Sequence, residues 1–145
     1  MHPELQFLIR LLVAAALAAI LGWEREHARK AAGLRTHMLV GIAAALYTAL
    51  AQLAVADIAP SERAFEADPI RAIQAVAIGI GFLGSGVIFV SRHEDRVQGL
   101  TTAASIWATA AIGIAAGLEH YVLAAGATIL LLFVLRVLVR FDAPD

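Results

Sequence analysis

The chain has 145 residues, of which 61% are apolar and 16% charged, with a mean hydropathy of +0.80, no cysteine and a formal net charge of −1. Such a composition argues against a water-soluble enzyme. It leaves no disulfide framework, thiolate zinc site or cysteine nucleophile, and no net positive field to attract nucleic acid. A bilayer span takes roughly 20 apolar residues, so about five spans would use about 100 residues and leave the rest for short loops.

Five apolar stretches follow in order. They predict an all-α integral membrane protein, a compact bundle of five transmembrane helices over about residues 5–23, 38–58, 70–90, 99–118 and 121–139, forming one membrane domain over 1–145. Arg10 lies close enough to the start of the first span to snorkel out, and Arg71 sits at the mouth of the third. Arg136 is within one helical turn of Arg140 at the end of the fifth. The Ala-rich run from Ala14 to Ala19 could belong to a cleaved signal, but no basic segment precedes it, so the stretch reads as an anchor.

Orientation follows from the basic residues. Arg25, Arg29, Lys30 and Arg35 lie between the first two spans, Arg92 and Arg96 between the third and fourth, and Arg140 in the tail. The opposite side has only Arg63 and Arg71 against Asp57, Glu62, Glu66 and Asp68, then Glu119 and His120. The expected N-terminus is therefore outside and the C-terminus cytoplasmic.

Glu24-Arg25-Glu26-His27 continues the first span without a breaker, with Glu26 and Lys30 spaced for an i, i+4 pair; Gly33 is expected to end this helix and Thr36 to cap the next. Glu24, Glu26, His27, Arg35 and His37 share one membrane face with His93, Glu94 and Asp95. Their carboxylates could hold a hard cation such as Mg²⁺, but no spacing fixes a coordination shell, so metal binding stays open. On the other face, Asp68-Pro69-Ile70-Arg71 reads as a helix start, with Arg71 reaching the interface or pairing with Asp68 or Asp57. Trp23, Tyr121 and Phe141 fall at interfaces as aromatic anchors, and Trp107, near mid-span, reads as core.

Within the spans, uncharged polar and small residues recur at helical spacing. Span two carries Gly41, Ala45, Thr48 and Gln52; span three Gln74, Ile78, Gly81 and Ser85; span four Gln98, Thr102, Ser105, Thr109 and Gly113. Hydroxyls and amides facing lipid lose water without replacement, so these seams are expected to face one another, either as helix packing or as a hydrated path. Gly79, Gly81 and Gly84 match a dinucleotide fingerprint, yet they lie inside an uncharged apolar run with no strand or exposed helix start, so close helix packing is the expected use. Gly81 with Ser85 and Gly113 with Gly117 make the small-xxx-small pattern, and Gly86 and Gly99 belong to the same set. An echo offset by 66 residues relates Gly33, Leu34, Thr36, Ala44 and Ala45 to Gly99, Leu100, Thr102, Ala110 and Ala111.

The combination Gly22-Trp23-Glu24-Arg25-Glu26, Lys30, Gly33-Leu34-Arg35-Thr36-His37, Asp68-Pro69-Ile70-Arg71 with Gln74, Gly79 to Gly86, and Gly99-Leu100-Thr101-Thr102 resembles the N-terminal membrane domain of the MgtC/SapB family. Ser85 stands where the family commonly has Ala, and Trp23 where Leu or Ile is frequent. The chain stops at Asp145, whereas MgtC-type members carry a soluble cytoplasmic domain after the fifth helix. The resemblance implies a bacterial inner-membrane protein linked to growth in low magnesium and survival inside host cells, with some members restraining the F-type ATP synthase. Two readings follow. One is a non-enzymatic regulator without cofactor, acting through helix contacts with itself or a membrane partner; the other is a transporter or channel for a cation or proton along the seams.

Overall fold

The computed structural model describes residues 3–58, 69–90 and 97–138. They form five helices and no strand: α1 (Pro3–His27), α2 (Leu34–Ile58), α3 (Pro69–Val90), α4 (Leu100–Gly117) and α5 (Tyr121–Val137). The segments Glu4–His27, Leu34–Ala56, Ile70–Ile88 and Leu100–Gly117 are each long and apolar enough to cross a membrane. At 17 residues α5 is equally apolar but shorter. Asp68, Glu62, Glu66 and the 91–96 segment lie outside the described residues, as does Phe141.

The centre of the bundle is α1, α2 and α4, and small residues bring these helices together. A Cβ added at Gly41 would lie 2.7 Å from the Ala18 side chain, one at Gly117 would lie 2.9 Å from the Ala45 carbonyl, and one at Gly113 would overlap the Gly41 carbonyl oxygen. Ala14, Ala18, Ala44, Ala45 and Ala116 fill the remaining space and are fully buried or nearly so. Dispersion between closely approaching backbones is the main attraction available where lipid is as apolar as the side chains, so alanine and glycine replace the leucines of a soluble core. Outside this centre, α5 buries Ala124, Thr128 and Leu135, and α3 leans on the bundle through Ile73, Val76, Ile80 and Val87.

The turns that close α1 and α4 are both Schellman motifs built on a residue other than glycine. At the end of α1, Lys30 N–H donates to Arg25 O and Arg29 N–H to Glu26 O, both at 3.0 Å, with Arg29 left-handed at φ 52°. At the end of α4, His120 N–H donates to Ala115 O and Glu119 N–H to Ala116 O, with Glu119 at φ 66°. The first of these turns corrects two expectations. The helix ends at His27 with Arg29 making the turn, so it stops before Gly33 and the Glu26–Lys30 pairing does not form. Glu26 instead reaches across eight residues to accept from Leu34 N–H at 2.8 Å, so this carboxylate, not exposed Thr36, caps α2. Glu26→Ala should therefore cost about 1 kcal/mol, read as a modest fall in melting temperature of the detergent-purified protein; an unchanged value would show that the cap contributes nothing.

The 66-residue echo is matched at the helix starts, where α2 and α4 each begin at the leucine after the echoed glycine and each glycine carbonyl accepts from the N–H four residues on, and at Ala44 and Ala110, buried in one core cluster. The copies differ at Thr36, exposed where Thr102 is buried, and at Ala45, buried where Ala111 is exposed.

Candidate functional site

Two buried polar clusters lie at opposite ends of α1. At the end where α1 turns into α2, Arg25 is only 1% exposed and Glu24 8%. The guanidinium grips the neighbouring carboxylate with two hydrogen bonds, Nη2 to Oε1 at 2.8 Å and Nε to Oε2, and Nη2 also touches Leu135 O of α5 at 3.5 Å. Burying either charge alone would be costly, and the bidentate pairing offsets that cost. Nη1 of Arg25 is buried and has no hydrogen-bond partner among the described residues.

His37, fully buried, joins this cluster from α2. Its Nδ1 lies 2.9 Å from the Gly33 carbonyl, which only accepts, so Nδ1 carries the hydrogen and donates. Nε2 lies 3.1 Å from Ser105 Oγ of α4, and the same hydroxyl is 2.8 Å from the Thr102 carbonyl. One hydroxyl proton serves Thr102 O or His37 Nε2, never both, so the state of the imidazole and the rotation of Ser105 are tied together. Among the described residues no three His, Asp or Glu side chains are grouped to hold a metal ion; His93, Glu94 and Asp95 fall outside them.

At the opposite end, Arg10 does not snorkel out. Its Nη1 donates to Gln52 Oε1 of α2 at 2.6 Å and to the Gly117 carbonyl at 3.0 Å, its Nη2 pairs with Glu119, and its guanidinium stacks over Phe7 at 4.6 Å. The left-handed turn at Glu119 aims that carboxylate back at the bundle, which explains why the arginine turns inward. The signal was an arginine one-third into an apolar stretch together with a glutamate at the turn on the same side; neither alone identifies the pair.

The remaining seam residues divide sharply. Thr48, Thr102, Ser105 and Thr109 are buried, and the Thr48 and Thr109 hydroxyls donate to the carbonyls four residues back, Ala44 O and Ser105 O, both at 2.8 Å. The α3 seam does not join them. Gln74 and Ser85 are exposed, Ser85 donates to Phe82 O at 2.7 Å, and a Cβ at Gly79, Gly81 or Gly86 would meet nothing within 4 Å. Those three glycines therefore pack against no helix among the described residues. The cause is the roll of α3: Gly84, facing Ala103 at 3.5 Å, lies with Ile73, Val76, Ile80 and Val87 on the packed side, which turns the 74/78/81/85 stripe away. Gln98 is likewise exposed and precedes α4, where Gly99 at φ 86° supplies the helix start.

Of the motif residues, Glu24, Arg25, His37 and Thr102 come together, whereas Glu26, Lys30, Arg35, Thr36 and Thr101 are exposed at or near the same end. Arg71 is exposed at the other end, and its candidate partner Asp68 and the Asp57 side chain lie outside the description. Trp107 is 55% exposed and belongs to the outer face of α4, which corrects its assignment to the core: lipid solvates an indole well enough that burial is not required. Trp23 is exposed and stacks on His27 with ring centroids 4.6 Å apart, as an interfacial aromatic can.

The sequence profile of the MgtC family matches residues 11–143. The chain is 40% identical over 132 residues to "Putative magnesium transporter YhiD" of Escherichia coli K12, covering 91% of this chain and 60% of that protein. It is 37% identical over 126 residues to "Protein MgtC" of Salmonella typhimurium, covering 87% of this chain and 49% of that protein. The chain thus spans about half to three-fifths of these relatives' length. No solved structure matches it.

Proposed function

This chain belongs to the MgtC family, and from that premise we propose that it is a non-enzymatic bacterial inner-membrane regulator of adaptation to magnesium limitation. It crosses the bilayer five times, with the 17-residue α5 as a short last span and the N-terminus outside. Arg25, Arg29, Lys30, Arg35 and Arg136 all gather at the end assigned to the cytoplasm, which supports that orientation. It acts through helix contacts with itself or with a membrane complex, for which the family resemblance offers the F-type ATP synthase.

One observation carries the choice of regulator over transporter. The Arg10 and Arg25 clusters stand about 22 Å apart along α1 at 1.5 Å per residue, and between them α1, α2 and α4 approach closely at glycine and alanine, with Leu21, Ile106, Ile112, Thr48 and Thr109 buried beside them. A hydrated ion needs polar groups free to take the place of its water, and the hydroxyls along this waist are already committed to backbone carbonyls. The competing reading draws on the name of the YhiD relative and on the polar clusters at both ends.

Flux decides between them. Purified protein in liposomes is expected to pass neither Mg²⁺ nor protons faster than empty vesicles, with either gradient direction and with an imposed potential. Flux clearly above that of empty vesicles, reduced by Gln52→Leu, would overturn the regulatory reading.

A further inference from the structure

At the end of the bundle assigned to the cytoplasm, a groove of about 430 Å³ runs over α1 between α2 and α5. That volume is on the scale of a small-molecule site. Its walls are ordered by depth. Ala19 and Ile20 of α1, Met38 of α2 and Leu132 of α5 line the part toward the middle of the bundle, and Trp23, Leu34 and Arg136 line the mouth one helical turn further out. Arg136 is exposed, and so is Arg35, the residue after Leu34. Neither has an ion-pair partner among the described residues, in contrast to Arg10 and Arg25, both of which are held by carboxylates.

We propose that this groove binds an anionic phospholipid, with an acyl chain laid along Ala19, Ile20, Met38 and Leu132 and the phosphate held by Arg136 at the mouth, beside Trp23. The inference rests on the chain being a membrane protein and is independent of whether it regulates or transports. Charge chooses the occupant. An apolar slot open to the bilayer admits any acyl chain, but a guanidinium with no carboxylate partner among the described residues, at headgroup depth, favours a lipid with net negative charge over a zwitterionic one. Arg136 offers a planar fork that matches phosphate oxygens, and Arg35 adds a second cation near the same rim.

Native mass spectrometry of the full chain in a neutral detergent tests this, with dioleoylphosphatidylglycerol and dioleoylphosphatidylcholine as the probes. The glycerol lipid is expected to stay bound at lower concentration than the choline lipid and to raise the melting temperature more. Removing one basic residue, as in Arg136→Gln, should weaken phosphatidylglycerol about fivefold, and Arg136→Lys should restore part of the loss. Arg71→Gln, at the opposite end, should leave the preference intact. Leu132→Trp, filling the slot, should weaken both lipids, and glycerol 3-phosphate without acyl chains should neither bind nor stabilise.

Equal retention of the two lipids by the unaltered chain would sink the proposal. So would an equal loss on Arg71→Gln, which would mean that net charge alone sets the preference. Stabilisation by glycerol 3-phosphate would assign the site to a free phosphate compound. A dimer insensitive to lipid and lost in Leu132→Trp would assign the groove to a second copy of the chain.

Discussion

Gly113→Leu is expected to abolish the folded bundle, giving aggregated or protease-sensitive protein in detergent where the unaltered chain elutes as a single species. The first side-chain carbon at this position would already overlap the Gly41 carbonyl oxygen and sit 2.9 Å from the Ala44 side chain. Overpacking a core that can shift side chains costs about 1–3 kcal/mol, but a backbone carbonyl inside α2 cannot move aside without breaking its helix. Gly81→Leu is the contrast, since open space surrounds that position and the same substitution should leave the monomer's melting temperature nearly unchanged. Size-exclusion profiles and thermal melts of the two variants, side by side, check the α2–α4 contact directly. A folded Gly113→Leu protein would show that the helices are further apart than described.

Glu24→Ala should be nearly as damaging, by a different route. It strands the Arg25 guanidinium, 1% exposed, with only a long contact to Leu135 O and with Nη1 already lacking a partner. Removing one member of a buried ion pair costs about 3–5 kcal/mol because the surviving charge stays desolvated. Replacing both, as in Glu24→Gln with Arg25→Met, removes the stranded charge and should recover most of the loss. A double-mutant cycle on melting temperature measures this coupling; additive effects of the two substitutions would mean that the pair does not act as a unit.

The existence and order of the helices could be read from hydropathy alone, because five apolar stretches separated by charge leave few alternatives. Which side of each helix faces inward could not. In water an apolar stripe marks the core, but beside lipid an apolar residue is content on either side, so Trp107 and the whole outer face of α3 give no signal. Polar residues discriminate better, yet only when geometry supplies a partner. Thr102, Ser105 and Thr109 point inward as their chemistry demands, whereas Gln74, with an equal need, lies on the stripe that the roll of α3 turns outward. The ion pair at Arg10 was hidden for another reason: its glutamate lies more than a hundred residues away, and its direction depends on a left-handed residue where a glycine would be the ordinary choice. At the Arg25 end, the sequence placed Glu24, Arg25 and His37 near one another, but only the packing of α2 on α4 brings Ser105 to the imidazole.

The anchorage of Arg10 also imposes a timetable on biogenesis. A nascent chain delivers Gln52 to this guanidinium early, but Gly117 and Glu119 emerge only after α4 is complete. Until then the cation has only the Phe7 ring of its own helix and one neutral amide to receive it. The anchorage of Arg10 is therefore complete only once the turn before α5 has been synthesised.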